Sequence, residues 1–167
     1  MTLLKNIILV IILLLSSYIG IIKSKTFDNR VIELKKIQNS LAMLKSKIEF
    51  TYEPLKNIFI EISNIIYKNN ENIFLSTIQK DKELYIAWTE SIEELQNDLN
   101  FEDKEVMKMM GKLLGKTDVK GQVNEIVLTE SLIQKQIEKA EFERNKNVKL
   151  YKTMGIVLGM GICIILV

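Results

Sequence analysis

A chain of 167 residues with 23 Lys and Arg against 21 Asp and Glu carries a formal charge of only +2, so no general field draws it to nucleic acid. One cysteine and no histidine exclude an intrachain disulfide and the ordinary Cys/His metal sites. One proline and seven glycines leave little to interrupt helices, and the apolar spacing along the chain predicts an all-α fold.

Residues 7–22 contain no charged side chain; at about 1.5 Å per residue they extend roughly 24 Å, close to the ~30 Å hydrocarbon layer once Lys5 reaches the headgroups. Twelve of these sixteen residues are Ile, Leu or Val, worth about −6 kcal/mol on an insertion scale, more than Ser16, Ser17, Tyr18 and Gly20 take back. A cleaved signal peptide is the competing reading. No clear small-x-small cleavage site follows, however, and Lys23, Lys25 and Arg30 come at once, which favours a retained membrane helix.

The following segment carries Leu34, Ile37, Leu41, Leu44 and Ile48 at alternating steps of three and four, a coiled-coil-like stripe that breaks near Thr51. Pro54 suits the first position of a second helix with Leu55, Ile58, Phe59, Ile62, Ile65 and Ile66 on its apolar face. Residues 68–72 read as a polar loop, and Ile73, Phe74 and Ile78 as a short helix ending near Asp81. Leu84, Trp88, Ile92, Leu95 and Leu99 then step by four along a fourth helix expected to end near Asn100. That register assigns Trp88 to the core rather than to an exposed partner anchor.

Asn100 caps a fifth helix, with Glu102 and Asp103 in its first turn and Val106, Met109, Met110, Leu113 and Leu114 as its expected buried side. Gly111 within that stretch costs about 1 kcal/mol relative to Ala and points to a close helix crossing. Gly115 is the stop, and Thr117 or Asp118 the cap of a last helix bearing Val123, Ile126, Val127, Ile133, Ile137 and Ala140. No breaker intervenes before residues 154–167, whose eight Ile, Leu and Val supply about −4 kcal/mol before three glycines are counted. This is a marginal span, aided by bilayer thinning, by Lys152 at the interface or by a partner helix; a peripheral or re-entrant tail is the alternative. Gly155 and Gly159 share one side of it, where another membrane helix could approach closely, although glycines are common in membrane helices in any case.

The pattern predicts six helices, arranged as a membrane helix over 1–22, a cytoplasmic helical domain over 23–149 and a membrane helix over 150–167. Lys146, Lys149 and Lys152 join the lysines after residue 22 in placing the middle in the cytoplasm and both termini across the membrane.

In order and spacing, several of these residues resemble the stage III sporulation protein AB family of endospore-forming bacteria. The matching positions are Arg30, Leu34, Leu41 and Leu44 of a basic stem; Ile48 and Phe50; Pro54-Leu55; and Ala87-Trp88 with Ser91. They continue with Gly111-Lys112-Leu113-Leu114-Gly115, Asp118 and Gln122, and close on Leu150-Tyr151-Lys152 before Gly155. Glu53 stands where the family usually has Thr, which removes a good N-cap, and Lys47 stands where it has an acidic residue.

The resemblance implies a component of the channel assembly that joins the mother cell to the engulfed forespore, seated in the mother-cell membrane around it. It also implies likeness to the inner-membrane platform protein F of type II secretion systems, whose cytoplasmic domain has about six helices. The expected partners are a cytoplasmic secretion-type ATPase, the other channel subunits and membrane lipid, with a second copy of the chain as a further candidate. No cofactor, metal or nucleic acid is implied.

Nothing in the residue inventory asks for an enzyme. The run Gly111 to Thr117 ends like a phosphate-binding loop but lacks the four-residue gap between its glycines, has Lys112 and Leu113 in an expected helix, and follows no strand. Glu93-Glu94 and Glu102-Asp103 read as solvated helix faces. The alternative from another class is a membrane-anchored coiled-coil signalling module with a dimerising stem; its weakness is the short chain outside either membrane helix.

Overall fold

A computed structural model of the protein describes residues 2–51, 53–68 and 70–166, with side chains from residue 7 onward. The Lys5 side chain and Val167 therefore lie outside the described residues. Among the described residues there are six helices: α1 Thr2–Phe50, α2 Leu55–Tyr67, α3 Ile73–Gln79, α4 Leu84–Glu94, α5 Phe101–Met110 and α6 Val119–Leu166. No strand occurs among the described residues, and the all-α fold agrees with the apolar spacing. The chain forms two compact units, one of Met1–Val31 with Lys139–Val167 and one of Ile32–Glu138.

In the second unit the stem stripe is buried inside its own fold: Leu34, Leu41, Leu44 and Ile48 join Ile58, Phe59 and Ile62 of α2 in the core. Phe59, Phe74 and Trp88 from three successive helices form an aromatic cluster, with ring centroids 5.1, 5.9 and 5.5 Å apart in tilted or edge-on pairs. Lys45 pairs with Glu130 at 2.7 Å, and the Gln38 amide donates to Gln134 at 2.8 Å, both between the stem and α6.

Local chemistry sets the helix ends. Pro54 is the residue before α2 rather than its first; its carbonyl accepts from the Asn57 and Ile58 amides, and no side chain caps the helix. α2 stops where Lys68 turns left-handed, at φ 53°. Asn72 caps α3, its carbonyl oxygen accepting from the Phe74 and Leu75 amides at 3.0 and 3.1 Å. Its amide group donates to Ser63 Oγ at 2.8 Å and to the Asn70 carbonyl at 2.7 Å, so a buried polar side chain is fully used.

Four sequence expectations are corrected. α4 ends at Glu94 and not near Asn100, because Lys104 Nζ takes the Leu95 carbonyl at 2.9 Å and the Asn97 side chain accepts from the Leu99 amide, pulling the segment off the helical ladder. α5 ends at Met110, so Lys112 and Leu113 lie in turns. Its buried face is Asp103, Met107 and Met110 rather than Val106 and Met109, since a complete capping box fixes the phase by burying Asp103. Met109 and Val127 are exposed, each one position off a buried residue of its helix, while Ile65 is exposed on α2 and Leu113 in the turns beyond α5.

Candidate functional site

Two constellations stand out, one in each unit. In the first, the glycine faces of α1 and α6 meet. Ser16 Oγ donates to the Gly155 carbonyl at 2.6 Å. A β-carbon at Gly20 would lie 2.6 Å from the Tyr151 carbonyl oxygen, and one at Gly155 would lie 2.8 Å from that of Ser16. At Gly159 it would meet Leu13 Cδ1 at 3.0 Å, whereas Gly161 has nothing within 4 Å. The helix that approaches this glycine face is α1 of the same chain. The other half of the seam, Ser16-x-x-x-Gly20, is the same small-x-x-x-small spacing, a signal the sequence carries although these residues also weaken insertion.

Around that seam Cys163 Sγ donates to the Leu9 carbonyl at 3.4 Å, Phe27 stacks on Tyr151 at 5.5 Å, and buried Arg30 pairs with Glu143 at 2.7 Å. Facing outward are large apolar side chains such as Leu14, Ile19, Ile164 and Ile165.

The second constellation gathers the family-motif positions at the turn from α5 to α6. Trp88 lies over Gly111, where a β-carbon would be 2.4 Å from indole Cδ1, and its Nε1 donates to the Met107 carbonyl at 2.8 Å. Leu114 is buried beside them in the turn. Gly115 takes φ +76°, a conformation that favours glycine, and a β-carbon there would meet Leu55 and Leu84 at 3.2 and 3.3 Å. Asp118 Oδ1 caps α6 by accepting from the Gly121 amide at 2.9 Å. Gln122 closes the turn: its Oε1 accepts from the Gly115 amide at 3.1 Å and its Nε2 donates to the Thr117 carbonyl at 2.9 Å. Seven of the eight motif positions therefore meet in one turn and the helix starts that touch it. Pro54 contributes only by setting the start of α2.

This is a structural junction. The Gly115 amide is taken by Gln122 and Lys116 pairs with Glu83, so the two groups that a phosphate would need here are already engaged within the chain. A shallow groove of about 470 Å³ lies between α3 and the α4–α5 connection, and the polar groups Ser76 and Ser91 in it bond to each other at 3.0 Å. Glu94 at its edge pairs with Lys80, and the hydrogen bond to Glu94 is the main reason the Lys80 ammonium is held above its ordinary pKa. Glu90, bonded to Lys82, is held below the usual carboxylate range. Among the described residues no group of three or more His, Cys, Asp or Glu is placed to hold a metal ion.

Comparison with known proteins agrees with the motif pattern. The family model described as Stage III sporulation protein AB matches residues 5–167. The Stage III sporulation protein AB of Bacillus subtilis (strain 168) is 23% identical over 163 residues, covering 94% of this chain and 95% of that protein. A solved Stage III sporulation protein AB superposes with a TM-score of 0.62 at 20% identity, over 71% of this chain and 98% of its own, and so shares the fold.

Proposed function

Because the chain belongs to the stage III sporulation protein AB family, it has a role in sporulation, and within that role we propose that it is a non-enzymatic membrane platform of the mother-cell-to-forespore channel. Its central residues face the cytoplasm of the mother cell and engage a secretion-type ATPase, while the terminal helices hold the protein among the membrane subunits of the complex. The observation that carries this reading is the pair of long helices whose apolar stretches are exposed side by side, bracketing an all-helical body. Lys23, Lys25, Lys146, Lys149 and Lys152 at the inner ends of those stretches support the orientation.

The competing signalling module needs a stem free to dimerise. The stem stripe is used instead within residues 32–138, where Leu34 and Leu44 are fully buried.

Deletion of the gene in its host tests the proposal. Heat-resistant spores should be lost, with forespores arrested after engulfment and rescued by complementation, and the ATPase should copurify with the full chain from sporulating cells. Normal forespore development after deletion would overturn the channel role; arrest without any ATPase association would overturn the platform mechanism. Protease added from the cytoplasmic side should digest residues 32–138, and protection would reverse the orientation.

A further inference from the structure

We propose that the lysines bordering the paired apolar stretches form a docking surface for anionic phospholipid headgroups, an inference that rests on the membrane reading above. Lys23 and Lys25 follow one stretch directly, and Lys146, Lys149 and Lys152 precede the other. Gly20 meets Gly155, and Phe27 stacks on Tyr151, so the two sets of lysines lie at the same level of the helix pair. All five are exposed, and none of their ammonium groups has a hydrogen bond or ion pair to another described residue.

What sets these lysines apart is their place beside the apolar stretches, since the second unit also has exposed lysines, Lys56, Lys68, Lys112, Lys120 and Lys135, besides those it pairs. There Lys36, Lys45, Lys47, Lys80, Lys82 and Lys108 are each bonded to a carboxylate of the same unit. Around the five bordering lysines the acidic groups are few. Glu143 is held by Arg30, Glu141 has a partner of its own, and Asp28 alone sits within the band. A concentration of unneutralised ammonium groups is unfavourable unless an outside anion offsets it.

Position selects the anion. At about 1.5 Å per residue, Lys23 and Lys25 stand within roughly 5 Å of the end of their apolar stretch, and Lys146 about 12 Å from the start of its own. The headgroup layer adds about 5 to 8 Å beyond the hydrocarbon on each side, and lysine stems extend to reach it. Basic clusters placed immediately beside membrane helices attract anionic lipid, each lysine strengthening the association by about fivefold near the surface. The partner is therefore the phosphate of phosphatidylglycerol or a similarly charged phospholipid in the leaflet the protein occupies.

The test uses the full chain in bilayers of phosphatidylcholine, alone or mixed with phosphatidylglycerol. Alkali-resistant incorporation into the neutral bilayer is scored first; failure there overturns the membrane reading and this inference with it. With incorporation established, phosphatidylglycerol should be enriched around the protein about tenfold or more over phosphatidylcholine, and the preference should collapse in 1 M salt, where screening extends only ~3 Å. The quintuple variant K23Q/K25Q/K146Q/K149Q/K152Q should lose the enrichment, and the five Lys→Arg exchanges should keep it. K56Q/K68Q/K112Q/K120Q/K135Q, which removes the same charge from exposed lysines of the second unit, should also keep it. Equal loss in both Gln variants, or no enrichment in the unaltered chain, would overturn the proposal while leaving the membrane reading standing.

Discussion

Trp88 lies so close over Gly111 that a β-carbon at position 111 would stand 2.4 Å from indole Cδ1, and the same ring donates a 2.8 Å hydrogen bond to the Met107 carbonyl. The glycine is required by what the tryptophan covers. Gly111→Ala should destabilise the chain by about 1 to 3 kcal/mol, the range for overpacking a filled core. Trp88→Phe relieves the crowding but leaves the Met107 carbonyl without its donor, for a loss of similar size. Denaturant unfolding in detergent micelles, followed by Trp88 fluorescence for Gly111→Ala and by circular dichroism for both, checks the pair; an unchanged midpoint in Gly111→Ala would remove the steric account.

Asn72 works in both directions, accepting from two amides of α3 and donating to Ser63 and Asn70. Asn72→Ala should lower stability by about 2 kcal/mol, near the upper end for a lost N-cap, because Ser63 loses a buried partner as well. Asn72→Ser should recover part of this by restoring the cap alone. Equal midpoints for the two variants would show that the cap contributes little.

Tyr67 is buried, and burial pushes its phenol up to about 12; the Ser40 hydroxyl 3.5 Å away offsets only part of that. Below pH 10 the phenol is protonated in both folded and unfolded chains, so its contribution is constant. Between about pH 10 and 12 the unfolded chain releases the proton while the folded one keeps it, and stability falls by about 2 to 3 kcal/mol across that window. Tyr67→Phe should flatten this part of the stability profile. Ultraviolet titration at alkaline pH should show a late-ionising component in the native chain that is lost in the variant.

Cys163 Sγ reaches the Leu9 carbonyl at 3.4 Å, which places position 9 beside the natural thiol. Leu9→Cys should therefore form an intramolecular disulfide with Cys163 on mild oxidation in membranes, because the close backbone approach suits the ~5.5–6 Å Cα separation a disulfide prefers. Adding Gly155→Leu, whose side chain would collide with the Ser16 carbonyl, should abolish the crosslink. Electrophoresis without reductant distinguishes the monomer from its crosslinked form, and disulfide-linked dimers in its place would mean that the seam joins two chains.

Helix identity was legible wherever a strong local signal coincided with the apolar period. Asn100 announced the cap of the fifth helix, and of Thr117 and Asp118 the second caps the last one; Gly115, read as the stop of the fifth helix, instead takes its positive φ in the turns beyond it, since that helix already ends at Met110. The end of α4 was not legible, because it depends on Lys104 reaching back nine residues to a carbonyl, an interaction with no periodic signature. Asn72 looked like one more residue of a polar loop, since its value lies in facing Ser63 on the preceding helix. The motif positions could be picked out singly, yet their meeting in one turn needed the path of α4 and α2 in three dimensions.

The Ser16 hydroxyl and the Gly155 carbonyl form a directional bond inside an otherwise oily seam, and its meaning differs once lipid surrounds it. With about −4 kcal/mol from its aliphatic residues and three glycines against it, the second apolar stretch is a weak candidate to enter a bilayer alone. Set against α1, it gains close backbone packing and a hydrogen bond that no acyl chain supplies. On the proposed membrane reading, biogenesis has an order: the first helix is seated before the second settles, and a lesion at Gly20 or Ser16 becomes a topology defect at the opposite end of the chain.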